Sequence, residues 1–249
     1  MKHITLKNFG LITGTIVGTV GLAIVPASAL ATSNTASTGS TSTSSKQAAR
    51  LQLIINRGNA EINRRLNTLG TLGTKISAAT KLTSADQASL TSEVNDEVSG
   101  LQSLKISLDA DTTLTGAETD AQSIFSGYRV YALIVPKVYL IKTADDQQVT
   151  ETKLSTLVTK LQTAITTDQT AGKSVTSLQN SLNDMTSKVQ AAQTISSNIE
   201  TTVLPLMPSD YNTDHTILSG DRDQLKTAQT DITTAITDAK SIISGLKSL

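Results

Sequence analysis

IFSGYRVYALIVPKVYLI, residues 124–141, gathers much of the apolar surface of the chain into one stretch. Four of the five aromatic residues beyond Phe9 lie in it, and Lys137 is the only charged side chain between residues 130 and 141. A helix that is apolar all round must be covered all round, and these twelve residues are too few to span a bilayer, which takes about twenty. We therefore expect the rest of the chain to pack around this stretch. The residues predicted to form the structural core are Phe125, Tyr128, Tyr131, Val135, Pro136 and Tyr139.

A helix that begins near Thr115 is predicted to contain the central stretch. Pro136 lacks a backbone donor and would clash with the carbonyl of Ala132, so a kink is expected there. The alternative is a β-hairpin with strands at 128–135 and 138–142, which the β-branched and aromatic content favours. Two-residue hairpin turns usually contain Asn-Gly or Gly, and we prefer the kinked helix because Pro136-Lys137 lacks them.

Aliphatic residues spaced by three or four predict further helices on both sides of this stretch. They recur over 51–76, 90–108, 154–165, 175–206 and 218–246. Gly58 and Gly73 fall on the first of these faces and are tolerable there if another helix packs closely. The 175–206 run resembles a coiled-coil seam, with Ser196 as its one polar interruption.

Local signals predict several helix ends. Thr83 or Ser84, followed three residues later by an acid or amide, is close to a capping box. Gly172 suits the position after a helix C-terminus, and Ser174 could cap the next helix. Residues 209–214 read as a polar loop after Pro205 and Pro208.

These elements predict an all-α fold. Long helices joined by short connections favour antiparallel neighbours, so we expect an elongated up-and-down bundle of five or six helices with coiled-coil-like packing over residues 46–249. The alternative is two tandem three-helix bundles, 46–143 and 147–249, that share a connecting helix. We prefer the single bundle because an all-round apolar segment does not suit an exposed junction.

The N-terminus has the pattern of a secretory signal peptide. Lys2 and Lys7 precede an apolar run, and Pro26 precedes small-residue cleavage motifs, so residues 1–31 are predicted to be removed after Ala31. The alternative is an uncleaved anchor. Residues 32–45 (TSNTASTGSTSTSS) read as a Ser/Thr-rich linker.

Composition excludes several classes of function. Without Lys2 and Lys7, 19 of the 21 bases remain against 21 acids, a net charge of −2, which gives no basic footprint for nucleic acid. No Cys is present, which rules out disulfides, thiolate metal sites and thiol catalysis. No transmembrane segment is predicted in the mature chain.

No residue set predicts a catalytic, cofactor or metal site. His215 is the single histidine after residue 31, too few for structural zinc without Cys. The loop from Asp109 to Leu114 lacks the glycine of an EF-hand and is interpreted as a capped turn between helices. We therefore predict no cofactor, no metal and no enzymatic activity.

The segments LTSADQASL (82–90), DAQSIFSGYRVYALIVPKVYLI (120–141) and LPLMPSDYNTDHTILSGDRDQL (204–225) resemble uncharacterised exported all-helical bacterial proteins. The resemblance covers most of residues 46–249. It implies an all-α exported protein and contributes no site residues and no activity.

Two functions are consistent with the sequence. The preferred hypothesis is a non-enzymatic secreted or cell-envelope bundle that acts as a spacer, scaffold or interaction surface for an unknown protein or surface partner. The alternative is an extracellular bundle that binds an apolar ligand or lipid around its Tyr-rich core. Self-association stays open under both.

Overall fold

A computed structural model describes the backbone of residues 39–249 and the side chains from residue 43. The predicted signal peptide and the first part of the predicted linker lie outside the described residues. The described part is helical and contains no strand. Its elements are α1 (Gly39–Ser77), α2 (Ser84–Ala110), α3 (Leu114–Ser126), a π-helical turn (Val130–Ile134), α4 (Val135–Thr170), α5 (Thr176–Val203), α6 (Pro208–Thr213) and α7 (Ser219–Ser248).

The all-α prediction is confirmed, and the β-hairpin alternative is wrong. α1 begins at Gly39, inside the predicted linker 32–45, and residues 43–50 are exposed. α4 runs without interruption to Thr170, so the apolar spacing at 154–165 continues the helix that contains the second half of the central stretch.

The central stretch is divided between two helices. α3 ends at Ser126, and α4 begins at Val135 with Pro136 in its first turn, where a missing N–H costs no intrahelical bond. The π-helical turn lies immediately before it, and the N–H of Val135 bonds to the carbonyl of Val130, five residues back. The wider π-helical turn suits Pro136, because proline has no backbone N–H and its ring clashes with the preceding turn of a regular α-helix.

α6 stabilises the break between α3 and the π-helical turn. Arg129 Nε donates to Asn212 Oδ1 at 2.6 Å, and Asn212 Nδ2 donates to the carbonyl of Ser126 at 2.8 Å. Residues 209–214 were predicted to be a loop, but α6 occupies residues 208–213 because Pro208 opens it and Asp210 Oδ2 accepts from the N–H of Met207 at 2.8 Å. A side chain from α6 thus bonds both ends of the break.

The prediction that Phe125 and Tyr131 lie in the core is wrong: their exposed fractions are 48% and 44%. The Arg65 guanidinium lies over both rings, 4.7 Å and 5.2 Å from their centroids. Tyrosine is half-polar, and its hydroxyl needs a partner; that of Tyr131 lies 3.3 Å from Thr68 Oγ1. These two aromatic rings therefore lie at the rim of the core.

The other four predicted core residues are partly buried. Tyr128 and Val135 pack against buried apolar residues of the core. The ring of Tyr128 lies so close to Gly100 that a Cβ at that position would overlap it. Pro136 and Tyr139 are also half-buried. The fully covered side chains of the stretch are the aliphatic ones and one cation: Ile124, Val130, Leu133, Ile134, Lys137, Val138, Leu140 and Ile141.

The buried apolar residues form two clusters. The first cluster contains buried residues of α1, α2, α3, the π-helical turn and α4 as far as Ala144, together with Ile199, Val203, Leu218 and Leu225. The second cluster contains Leu154, Leu161 and Ile165 of α4 with residues of α5 and α7. α5 packs against both α4 and α7, and α4 contributes residues to both clusters.

Several predicted helix ends can be compared with the structure. Thr83 is the N-cap of α2 and accepts from the N–H of Asp86, as predicted. Gly172 follows the C-cap of α4 with φ +79°, the conformation that favours glycine. Ser174 does not cap α5, because the helix begins one residue later than predicted, after Val175. Thr113 caps α3, which confirms the capped turn.

Among the described residues, one helical stretch, Leu114–Thr170, is long and apolar enough to cross a membrane by length and composition. Its most apolar window has a mean hydropathy of 1.3, and 44% of that window is buried against the rest of the protein. A core helix has the same properties.

Candidate functional site: buried polar groups around α4

Lys137 is a fully buried cation, 1% exposed. Its Nζ donates to Glu93 Oε1 of α2 at 2.6 Å and to the carbonyls of Leu204 and Leu206, just after α5. An ammonium has three donors, so Lys137 is saturated. A buried charge is tolerated only when it is paired and hydrogen-bonded, and this pairing connects α4 with α2 and with the end of α5.

Two carboxyl groups of α2, those of Glu93 and Glu97, lie near Lys137. Burial raises the pKa of Glu97 to about 7, and the neighbouring Glu93 adds to the effect. Burial also raises the pKa of Glu93, against the opposing influence of Lys137. Glu97 Oε2 is buried without a hydrogen-bond donor, so near neutral pH its carboxyl is partly protonated.

A buried polar layer separates the two apolar clusters along α4 and α5. Its members are Gln147, Glu151 and Ser196. Ser196 Oγ donates to Glu151 Oε1 at 2.8 Å, and Gln147 Nε2 donates to the carbonyl of Leu225 on α7 at 2.9 Å. Burial raises the pKa of Glu151, which favours its neutral form in this layer.

The cap of α2 brings two carboxylates together. In a complete capping box the N3 acid would accept from the N-cap backbone N–H. Here the N–H of Thr83 donates to Asp145 Oδ2 of α4 at 2.8 Å. Asp86, the N3 residue, instead accepts from Thr83 Oγ1 at 2.6 Å. This exchange of partners binds α4 to the start of α2 and leaves Asp86 beside Asp145.

Glu200 of α5 completes a cluster of three carboxylates. One oxygen from each of Asp86, Asp145 and Glu200 lies within 4.8 Å of the other two. Asp145 is 1% exposed and Asp86 7%, and the carboxyl groups of Asp145 and Glu200 share a side-chain hydrogen bond. Burial, with the neighbouring Asp145 and Asp86, raises the pKa of Glu200 to about 8, and burial raises the pKa of Asp145.

The carboxylate cluster has the chemistry of a site for a proton or a hard cation. Carboxylate oxygens are the ligands that Ca²⁺ and Mg²⁺ prefer, and two close carboxylates also favour a shared proton. None of the three forms an ion pair with a described residue; the neighbouring Lys81 and Lys142 pair with Asp146 instead, at 3.8 Å and 2.6 Å.

The three predicted core tyrosines do not share one cavity among the described grooves. Tyr139 lines an open groove of about 340 Å³ between α1 and α4, together with Arg64, Lys75 and Val135. Its hydroxyl accepts from Lys75 Nζ at 2.6 Å. Tyr128 and Tyr131 are not among the lining residues, so this groove does not form the Tyr-lined apolar pocket of the alternative function.

His215 packs edge-on against the ring of Tyr211, with centroids 5.2 Å apart, and is not part of the carboxylate cluster. Sequence analysis missed that cluster and the role of Lys137. One signal was present for the polar layer: Gln147 and Glu151 continue the helical spacing of Ile141 and Ala144 toward Leu154, at positions that face the core.

Comparison with protein-family models, with curated proteins and with solved structures finds no match to this chain.

Proposed function

We propose that this chain is an exported, non-enzymatic helical scaffold or spacer of the cell surface or envelope, with residues 1–31 removed as a signal peptide. The observation that carries the proposal is the use of the buried polar groups. The ammonium group of Lys137 donates all of its hydrogen bonds to α2 and to the end of α5. The polar layer bonds α4 to α5 and α7. These groups stabilise the contacts between helices and leave no free Lys137 donor for a substrate.

The architecture that we propose is one antiparallel bundle with a change of chain direction near Pro136. Residue pairs between α4 and α5 support antiparallel packing, because Gln162 bonds to Gln179 while Ser155 bonds to Gln193, farther along α5. Contributions of α5 and α7 to the first apolar cluster support a single bundle over two tandem ones.

Recovery of the native protein tests this function against the apolar-ligand alternative. The protein would be purified from the extracytoplasmic fraction without detergent and analysed by native mass spectrometry and lipid extraction. We expect the mass of the mature polypeptide and no bound lipid above the level of an unrelated exported protein purified in parallel. One bound lipid per chain would instead support the ligand-binding function.

A test of the non-enzymatic assignment uses the saturated lysine. Lys137 replaced by arginine keeps the charge, and surface Lys226 replaced by arginine is its control. If the chain is a scaffold, any loss of function in cells should follow the loss of folded protein, measured by thermal melting. A fully folded Lys137→Arg variant without function would contradict the assignment.

A further inference from the structure

The charge of the chain is distributed unevenly. α1 carries six bases and one acid, a net charge of +5, whereas residues 78–249 carry 13 bases and 20 acids, a net charge of −7. The small net charge of the whole chain conceals this difference. An anion is therefore attracted to one helix of a protein that is otherwise acidic.

Five of the six bases of α1 lie on one exposed face of the helix, which we call the basic stripe. With about 3.6 residues per turn, their directions around the helix axis differ by no more than about 40°, and they cover about 43 Å along it. A row of this length suits an extended polymer better than a small ion. The members of the basic stripe are Lys46, Arg50, Arg57, Arg64 and Lys75.

The bases of the stripe are available to a ligand. Arg50 pairs with Glu118 of α3 at 3.3 Å, and Arg64 pairs with Glu61 at 3.1 Å; pairs that include an exposed base of this kind are weak. The other three bases of the stripe form no ion pair with a described residue. The positive charge of this face is thus largely uncompensated.

The open groove of about 340 Å³ between α1 and α4 adjoins the C-terminal part of the stripe. Arg64 and Lys75 belong to both, and they are the only charged residues that line the groove. Its volume falls within the range of small-ligand sites, about 300–1,000 Å³, so a segment of a polymer can enter it. The uncharged lining residues are Asn67, Thr68, Thr71, Leu72, Val135 and Tyr139.

The threonines of the groove present hydrogen-bond acceptors. Thr68 Oγ1 donates to the carbonyl of Arg64, and Thr71 Oγ1 donates to the carbonyl of Asn67, both at 3.0 Å. A hydroxyl has only one proton, so these two groups can only accept further hydrogen bonds. Sugar hydroxyls can donate to them, whereas the oxygens of a phosphodiester cannot.

We propose that the basic stripe and the adjoining groove bind a linear acidic polysaccharide, with its carboxylates on the bases and its hydroxyls on the threonines. An arginine can hold a carboxylate through two parallel hydrogen bonds. The choice of partner rests on the proposed function, because a protein of the cell surface or envelope is exposed to the polysaccharides found there.

Two other polyanions fit the charge of the stripe but not the rest of the surface. A helix that lies on an anionic membrane carries exposed large apolar residues beside its basic face, and among the described residues of α1 only Leu53 is of that kind. Single-stranded nucleic acid stacks its bases on aromatic faces, but Lys75 Nζ already lies over the Tyr139 ring, 5.3 Å from its centroid. The chemistry of the groove therefore favours a polysaccharide.

Fluorescence anisotropy of a labelled oligogalacturonate, titrated with the purified chain, tests the proposal. We expect binding that weakens at least about tenfold between about 50 mM and about 200 mM NaCl. The same oligomer with methyl-esterified carboxyl groups should not bind. Absence of oligogalacturonate binding, or binding that neither salt nor esterification weakens, would overturn the proposal. Because the purified chain is used, the result is independent of whether the protein is exported.

Competition separates the polysaccharide from the other polyanions. Polyphosphate, single-stranded DNA and phosphatidylglycerol vesicles should each displace the labelled oligomer less effectively than unlabelled oligogalacturonate does. Equal or stronger displacement by any of the three would overturn the assignment of the partner.

Three variants locate the site. Arg57→Gln combined with Arg64→Gln should weaken oligogalacturonate binding at least about tenfold. Arg222→Gln combined with Lys240→Gln removes two exposed bases of α7, changes the net charge equally and should leave the affinity unchanged. Thr71→Val should weaken binding about threefold. Equal affinities in the two double variants would overturn the basic stripe as the site, and an unchanged affinity in Thr71→Val would overturn the role of the groove.

Discussion

Replacement of Lys137 by methionine should destabilise the protein by about 3–5 kcal/mol, the cost of removing one partner from a buried ion pair. Methionine keeps most of the unbranched stem, so packing changes little. The carboxylate of Glu93 loses its cation, and the carbonyls of Leu204 and Leu206 lose a donor. Urea denaturation at constant m-value measures the change as a lower midpoint.

The double variant Lys137→Met with Glu93→Met separates the ion pair from the carbonyl contacts. When both charges are absent, no carboxylate is left unpaired, and removal of a whole buried pair is often close to neutral. We expect the double variant to be more stable than the sum of the single losses predicts, by about 1–3 kcal/mol. The unsatisfied carbonyls account for the remaining loss.

Lys226→Met is the matched control, because Lys226 is 78% exposed and, among the described residues, pairs only with the exposed Asp223. Its midpoint should not change measurably. If the urea midpoint of Lys137→Met were as close to that of the parent as the midpoint of Lys226→Met is, the assignment of Lys137 as a saturated buried cation would be refuted.

Three further predictions follow from the core and from α1 and α2. A methyl group at Gly58 meets a neighbouring side chain while Gly70 has open space, so thermal melting should show Gly58→Ala destabilised and Gly70→Ala stabilised by about 1 kcal/mol; the reverse order would contradict the packing. Leu133→Ala should cost about 2–5 kcal/mol and Tyr131→Ala clearly less, since Leu133 is 0% exposed and Tyr131 44%; equal losses in urea melts would place Tyr131 in the core. Because the pKa of Glu97 is raised to about 7, its protonated carboxyl contributes stability that is fully present below pH 4.5 and is lost as pH rises through 7. The urea midpoint should therefore fall from pH 5 to pH 8 more in the parent than in Glu97→Gln.

Helical spacing was sufficient to predict the all-α fold, and local capping signals were sufficient to predict several helix ends. Thr83 and Gly172 follow local rules of capping and backbone conformation, and they lie where those rules place them. The prediction that Ser174 caps α5 is wrong, because Val175 is the residue that precedes the first helical turn. Local sequence signals do not fix a helix start to within one residue.

The aromatic residues of the central stretch were predicted to lie in the core on the basis of their hydrophobicity alone. Phe125 and Tyr131 instead lie beside Arg65. Phe125 precedes the break and follows the buried Ile124 of α3, whereas Tyr131 lies in the π-helical turn, where the break has changed which face of the helix points inward. Helical phase after such a break is set by packing, and the spacing of residues in the sequence does not encode it.

The candidate site could not be predicted, because its members come from three helices. Asp86, Asp145 and Glu200 each read as an ordinary polar residue in its own helix, and only the packing of α2, α4 and α5 brings them together. Lys137 was visible as the one charge in an apolar run. A lone charge in such a place is a reason to expect a buried partner.

The intact mass of the protein recovered from the extracytoplasmic fraction of the native cell tests the proposed function most directly. The account predicts a chain that begins near Thr32, after removal of residues 1–31, and is found outside the cytoplasm. A full-length chain that retains Met1 and is confined to the cytoplasm would contradict it.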